Sequence, residues 1–350
     1  MTQWMIYGAN GYTGRLIAQA AASRGMQPVL AGRSDAAVSG LAKELGLEHR
    51  VFSLDHAEAS VSGIAGMGIV LHCAGPFSAT ARPMMEACIK AGSHYLDITG
   101  EIAVFELAHE LGPAAASGGV LLCPGTGFDV VPTDCLAAKL ASALPDATKL
   151  ALGFDSRSGF SPGTAKTSVE GLAGGGKVRR HGELQTVPLA WRTRRIDFGD
   201  GEKLAMTIPW GDVSTAYRTT GIPDIDVYIP ASPNLVKRLK RMNAIRPLLG
   251  LGLVQKFMKA QVDKRVHGPS ETQRAELTTA VWGEVVNAAG KTVTGRIRTA
   301  NGYDVTVSAS LEIVAALLAG KTASGHVTPA RLMGTDFVTQ LPGSGAFELG

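Results

Sequence analysis

The chain opens Gln3-Trp4-Met5-Ile6-Tyr7-Gly8-Ala9-Asn10-Gly11-Tyr12-Thr13-Gly14, and this stretch decides the fold. A short apolar run ends at Tyr7, and Leu16, Ile17, Ala20 and Ala21 repeat at helical spacing from just beyond Gly14 to Ser23. Between strand and helix stands Gly8-x-x-Gly11-x-x-Gly14. In that setting the first glycine permits a tight turn, the second lets backbone approach a diphosphate, and the third lets helix pack on strand. The first N–H groups of the helix have no partner within it and lie at the positive end of its dipole, so they suit an anion. The spacing predicts a dinucleotide held by Gly8, Asn10, Gly11, Tyr12, Thr13 and Gly14.

Working outward, strand and helix alternate. Strand-like runs are Pro28–Ala31, His49–Leu54, Gly68–Ala74, His94–Ile98 and Gly119–Cys123, with helical patterns at Ala36–Leu45, Thr80–Ala91 and Ile102–Leu111 between them. Asp55 is placed to cap a short helix. Short apolar strands separated by helices mean βαβ units and a parallel sheet. The fold class expected is therefore α/β, a Rossmann-type doubly wound parallel sheet, followed by a second α+β domain on a mostly antiparallel sheet. Strands of the second part are expected at Leu150–Asp155, Leu184–Val187, Arg194–Phe198, Thr219–Pro230, Glu276–Asn287, Thr292–Thr299 and Tyr303–Ala309. Helices are expected at Val131–Ala143, 234–260, Leu311–Ala319 and Pro329–Gln340. The domains are read as 1–124, completed by 311–350, and 125–310. A chain of 350 residues suits two domains at roughly 150 each.

The second strand decides between cofactors. One that binds NAD usually ends on an acid that bonds the adenosine ribose hydroxyls. Here it ends Leu30-Ala31-Gly32-Arg33-Ser34. Arg33 can fork onto a 2′-phosphate and Ser34 can add a hydroxyl, so NADP is expected before NAD. Asp35 falls too late for the ribose and reads as a helix cap. The fourth strand ends Cys73-Ala74-Gly75-Pro76-Phe77, a stiff loop with an apolar wall beside the crevice where such sheets bind ligands. The fifth brings Asp97-Ile98-Thr99-Gly100-Glu101 to the same rim. Asp97, Glu101 and Asp129 are the candidates for proton transfer. Phe128, Trp210, Asp212 and Ser214 are candidates for substrate contact. Several have a plainer reading: Asp97 holding backbone amides, Glu101 starting a helix, Trp210 in a core, the Gly-Asp and Ser-Thr pairs making turns.

Composition excludes other classes. The 34 basic and 30 acidic residues leave +4, too little to imply nucleic-acid binding. The charge is uneven: residues 1–124 carry −3, whereas 237–265 carry nine basic groups against Asp263 alone. Pro247–Val254 sets an apolar patch inside that run. It reads either as a solvated helical face or as a surface for an anionic partner, a membrane or lipid. The run Lys177, Arg179, Arg180, Arg192, Arg194 and Arg195 follows a glycine-rich 158–176 stretch. It reads as a solvated charge run or as the basic lining of a lid. Four cysteines without a CxxC pair, and eight histidines without ligand spacing, predict no metal and no disulfide framework. With no signal-like start and no apolar stretch of ~18 residues, the expected compartment is the cytoplasm and no membrane span is expected. No tyrosine is followed four positions later by a lysine, which excludes short-chain dehydrogenase chemistry. Gly159-Phe160-Ser161-Pro162-Gly163 has nucleophile-elbow spacing, but Pro162 lacks the N–H that the oxyanion needs.

Together these segments resemble the saccharopine dehydrogenase-like oxidoreductases, particularly the trans-acting enoyl reductase branch. The matching pieces are Gly8–Gly14, Ala31–Arg33, Cys73–Phe77, Cys88–Glu101, Gly125–Asp129, Val131–Asp134, Ile208–Ala216 and Thr220–Pro223. The resemblance implies an NADP-binding Rossmann domain, a second domain closing over the nicotinamide, and a homodimer. The expected function is hydride transfer between the nicotinamide and a small or lipid-like substrate bearing C=C, C=N or C=O, in the cleft between the domains. The alternative is a non-catalytic NADP-binding sensor or scaffold.

Overall fold

A computed structural model describes residues 2–156, 168–169, 171–265 and 277–350. The Gly159–Gly163 elbow and most of the 158–176 stretch lie outside the described residues. In chain order the first elements are β1 (Gln3–Tyr7), α1 (Tyr12–Ser23), β2 (Val29–Gly32), α2 (Asp35–Leu45), β3 (His49–Val51) and α3 (Ala57–Gly63). There follow β4 (Met67–His72), α4 (Phe77–Ala91), β5 (His94–Asp97), α5 (Ile102–Ser117), β6 (Leu121–Cys123) and α6 (Val131–Ala143). The next are β7 (Ala147–Ser156), β8 (Gly176–Arg180), β9 (Glu183–Val187), β10 (Thr193–Asp197), β11 (Glu202–Thr207), α7 (Asp212–Thr220) and β12 (Asp224–Pro230). Then come α8 (Pro233–Met242), α9 (Arg246–Leu249), α10 (Gly252–Arg265), β13 (Thr278–Asn287) and β14 (Thr292–Ala300). The chain closes with α11 (Gly302–Leu318), β15 (Gly325–His326), α12 (Pro329–Met333) and β16 (Glu348–Leu349).

The chain divides into two units, 1–131 with 303–333, and 132–302 with 334–350. The first holds a seven-stranded sheet in the order β15-β6-β5-β4-β1-β2-β3, and every pair in it is parallel. Its central strands are buried on both faces. Met5 and Tyr7 pack with Val29, Met84 and Val104 in one cluster, and Trp4 and Ile6, with the opposite parity, are buried as well. Helices must therefore cover both sides, as in a doubly wound sheet. β1 lies between β2 and β4, so successive connections run in opposite directions on either side of it. Ligands bind such sheets at the carboxyl ends of the strands flanking that switch point.

The second unit is built on a nine-stranded mixed sheet with the path β10-β11-β12-β7-β13-β14-β16; β8 pairs with β12 and β9. All its pairs are antiparallel except β7 with β12. Half of the basic run expected to be solvated or to line a lid is instead consumed within the sheet, while Arg192 and Arg195 stay exposed. Arg179 is buried, donates to the carbonyls of Val213 and Gly182, both at 2.6 Å, and stacks on Tyr217. Arg180 is paired with Asp226 and Arg194 with Glu284.

Several boundaries differ from the sequence reading. The first unit runs to Val131 because Gly125 and Thr126 are bonded to Asp97 and the Phe128 N–H to Thr306 Oγ1 (2.9 Å). Residues 334–350 join the second unit: β16 pairs with β14, and the Gly345 N–H donates to the Arg298 carbonyl at 2.8 Å. Tyr303–Ala309 is helix rather than strand. Val305, Ala309, Ile313 and Leu317 recur every four residues and are buried, and the Ser308 hydroxyl bonds back to the Asp304 carbonyl. Thr219 and Thr220 end α7, and only Asp224–Pro230 is strand. The helix expected at 329–340 is two short pieces, α12 and a 3₁₀ turn at Phe337–Gln340.

Candidate functional site

The β1–α1 turn is made by three glycines, of which Gly8 and Gly14 leave no room for a side chain and Gly11 leaves little. Gly8 has φ +83°, and a Cβ there would lie 2.6 Å from the Ala74 nitrogen on the neighbouring β4 loop. A Cβ on Gly14 would overlap the Gly8 carbonyl oxygen and come 3.0 Å from its carbon. On Gly11 it would sit 3.3 Å from the same oxygen. Gly8 and Ala9 both donate to the Ala31 carbonyl, at 2.7 and 3.2 Å, which fixes the turn to the end of β2. Helix α1 starts at Gly11 with no side-chain cap and no acid in its first turn, and Tyr12 packs edge-on against Tyr303 of α11. The result is a backbone-lined cradle at a helix N-terminus whose shape and polarity fit a diphosphate.

The end of β2 lies beside this turn, with a Cβ on Gly32 reaching 3.0 Å from Asn10 Oδ1. Arg33 and Ser34 are exposed, and Arg33 makes no ion pair among the described residues. Ser34 precedes α2 without using its hydroxyl as a cap. Asp35 is the first helical residue, its charge spent on the α2 dipole.

The Cys73–Phe77 loop follows β4 at the switch point, with the Cys73 N–H on the Tyr7 carbonyl at 2.7 Å. Ala74 is the residue that packs under Gly8, and Thr80 closes the loop by donating to the Ala74 carbonyl at 2.7 Å. Since that hydroxyl's hydrogen is committed, His72 Nε2–H donates to Thr80 Oγ1 at 2.9 Å, and its Nδ1 faces the apolar core. Burial lowers the His72 pKa to about 3, so the ring is neutral, and burial holds the Cys73 thiol protonated. Neither is poised for acid–base work.

The three carboxylates on the β5–β6 rim differ in their surroundings. Asp97 is fully buried. It accepts from Tyr95 Oη (2.6 Å) and from the N–H groups of Thr99 (2.9 Å) and Gly125 (2.8 Å). Burial raises its pKa to about 6 against the pull of those donors. Glu101 reaches across to the start of α4 and accepts from the N–H groups of Phe77 (3.0 Å) and Ser78 (2.8 Å). It caps one helix from the start of another and ties the β4 loop to the β5 loop. Asp129 is partly exposed, lies against Gly100, where a Cβ would be 2.7 Å from Oδ2, and is pushed by burial to about 7.

Asp97, Glu101, Asp129, Phe128, the Cys73–Phe77 loop and the glycine turn thus all belong to the first unit. Trp210, Asp212 and Ser214 belong to the second. Trp210 stacks obliquely on Phe154 at 4.8 Å, and Asp212 and Ser214 are buried in the first turn of α7. Sequence reasoning missed Tyr303 beside the glycine turn and Thr306 under Gly127–Phe128. Both lie on α11, and no local pattern links them to residues so distant in the chain.

Residues 4–123 match the family described as the saccharopine dehydrogenase NADP binding domain. A trans-acting enoyl reductase of Mycobacterium tuberculosis is 33% identical over 141 residues, 37% of this chain and 33% of that protein. A saccharopine dehydrogenase-like oxidoreductase of Rattus norvegicus is 31% identical over 152 residues, 38% of this chain and 35% of that protein. The matched stretches span less than half the length of these curated relatives. Apo saccharopine dehydrogenase (L-Glu forming) from Saccharomyces cerevisiae has the same fold, with a TM-score of 0.70, 10% identity and full coverage of both chains.

Proposed function

With residues 4–123 forming a saccharopine dehydrogenase NADP-binding domain, in a chain related to the trans-acting enoyl reductases, we propose that the protein is an NADP-dependent oxidoreductase. Its substrate on this reading is small or lipid-like, with a C=C, C=N or C=O bond to reduce. The relatives' names favour an enoyl C=C. The observation that carries the reading is the cradle at Gly8, Gly11 and Gly14, where backbone alone faces the place a diphosphate takes. When bound there, the nicotinamide supplies the hydride.

The chain's own residues hold the cofactor and manage one proton. Gly8–Gly14 binds the diphosphate, Arg33 and Ser34 take the 2′-phosphate, and the Cys73–Phe77 loop borders the nicotinamide ribose. Asp97 and Glu101 act as positioning groups, since their oxygens are committed to backbone donors and a tyrosine. Asp129 is the group assigned to hold and move the proton, because its surroundings bring its pKa to about 7, where a general acid–base group is most effective.

Two experiments test this. Arg33→Ala should weaken NADPH binding by roughly tenfold or more while leaving NADH affinity nearly unchanged, since each charge-assisted bond to the phosphate contributes about 1.5–3 kcal/mol. Equal losses for both cofactors in a calorimetric titration would place the 2′-phosphate elsewhere. NADPH oxidation should then be followed with enoyl thioesters, imines and ketones; turnover of none would leave a binding protein rather than an enzyme.

Asp129→Asn tests the proton assignment. The carboxyl's pKa is raised from 3.8 to about 7 in the folded state, so its stabilising form is the protonated one. That contribution is complete below pH ~4 and lost as pH rises through about 7. The unfolding free energy of the natural protein relative to Asp129→Asn should therefore fall across that window. A flat or rising difference would contradict the assignment.

A further inference from the structure

Ten large apolar side chains are well exposed among the described residues, and six of them crowd into one stretch of the second unit: Leu235, Ile245, Leu248, Leu251, Leu253 and Phe257. Leu253 is 85% and Phe257 65% exposed. This stretch comprises α8, a 3₁₀ turn at Asn243–Ile245, α9 and α10.

The stretch is fixed to its unit by its other side. Val236 and Leu249 are buried, and Val236 packs with Ala190 and Met206. Asn243 clamps Leu189, accepting from its N–H at 2.8 Å and donating to its carbonyl at 3.2 Å. Gln255 donates to the Leu249 carbonyl at 2.6 Å, and Ser232 caps α8. These anchors hold the apolar side chains outward in a defined geometry. A folded chain rarely leaves so many large apolar side chains of one stretch in water without a use for them.

Charge identifies the use. Residues 237–265 carry nine lysines and arginines and one acid, and Lys237, Arg238, Lys240, Arg241 and Lys256 are exposed among the apolar residues. On α10, Lys256, Phe257 and Lys264 lie three, four and eleven residues beyond Leu253 and share one helical face with it. An apolar layer roofed by fixed negative charge satisfies both features at once, because acyl chains take leucine and phenylalanine while headgroup phosphates take the cations. No helix among the described residues is long and apolar enough to cross a membrane, so the contact would lie along a surface. We propose that α8–α10 is a docking surface for an anionic phospholipid bilayer. This deepens the lipid-like reading above, which would give a reductase of acyl substrates reason to sit at a membrane, but the surface itself is argued independently of turnover.

The test is co-sedimentation of the full chain with phosphatidylcholine vesicles with and without phosphatidylglycerol. Binding to the anionic vesicles is expected, falling about tenfold or more in plain phosphatidylcholine or at high salt, where charges are screened within a few ångströms. Leu253→Glu with Phe257→Glu should reduce it by a similar factor, as should Lys237→Glu with Arg238→Glu, Lys240→Glu and Arg241→Glu. NADPH titration of the same samples should be unchanged, which separates failure of docking from failure of the cofactor reading, and thermal unfolding followed by circular dichroism shows that the second unit of each variant is folded. No binding by the natural chain, binding indifferent to both sets of substitutions, or capture of an acidic carrier protein in place of vesicles would overturn the proposal.

Discussion

Gly14→Ala is expected to abolish dinucleotide binding. The added methyl would fall on the carbonyl oxygen of Gly8, with the Gly8 carbon at 3.0 Å and the Ala9 Cα at 3.1 Å. All three are backbone atoms of the glycine turn, so no flexible side chain can swing away. Either α1 must tilt from β1 or the turn must open. Overpacking of this kind costs about 1–3 kcal/mol of stability, well below what unfolds a typical domain. The loss in affinity should be larger. On the proposed reading the cradle would act through several N–H groups converging on one diphosphate, and a displacement of the helix N-terminus would spoil all of them together. A fall of at least about a hundredfold is expected, equivalent to losing two charge-assisted hydrogen bonds. Titration calorimetry, with circular dichroism to confirm folding, measures it. A folded variant with ordinary affinity would show that the turn does not grip the cofactor.

Asp97→Ala is expected to have the largest effect on stability. The carboxylate gathers Tyr95 Oη and the N–H groups of Thr99 and Gly125 at 2.6, 2.9 and 2.8 Å, and Asp97 is wholly buried. Its removal strands three donors, each costing about 1–3 kcal/mol if left without a partner. Allowing for relaxation, a loss of roughly 4 kcal/mol or more is expected, a large share of a domain's stability and on the order of 10 °C in melting temperature. Asp97→Asn keeps acceptor capacity for the two amides but presents a donor or a neutral oxygen to Tyr95, so a smaller loss is expected. Thermal unfolding of both variants gives the ordering. A change within experimental scatter for Asp97→Ala would mean that the β5–β6 loops are held by other contacts, and would return Asp97 to the candidates for proton transfer.

The glycine turn between β1 and α1, the alternation that builds the first sheet and the arginine after β2 were legible in the sequence because each is local. Gly8, Gly11 and Gly14 stand within one turn of one another, and a buried parallel strand shows itself in a short apolar run. What was not legible depends on pairing across the chain. Glu101 is an ordinary helix-start residue in sequence, and only the fold lays its carboxylate on the N–H groups of Phe77 and Ser78. The environment of Asp129 is set by Gly100 on a different loop. Arg179 looks like one member of a solvated run until β8 pairs with β12, on which α7 packs, and its guanidinium comes over Tyr217. Tyr303–Ala309 misled for a different reason. Val305 and Val307 alternate with polar residues as a strand would, whereas burial along α11 follows a period of four that only shows over the whole helix.

The central claim is that the opening turn of the first unit holds a nicotinamide dinucleotide through its backbone. Calorimetric titration of the full chain with NADPH and with NADH addresses it directly. One molecule of NADPH should bind per chain, more tightly than NADH; absence of heat with either, in a protein shown to be folded, would contradict it.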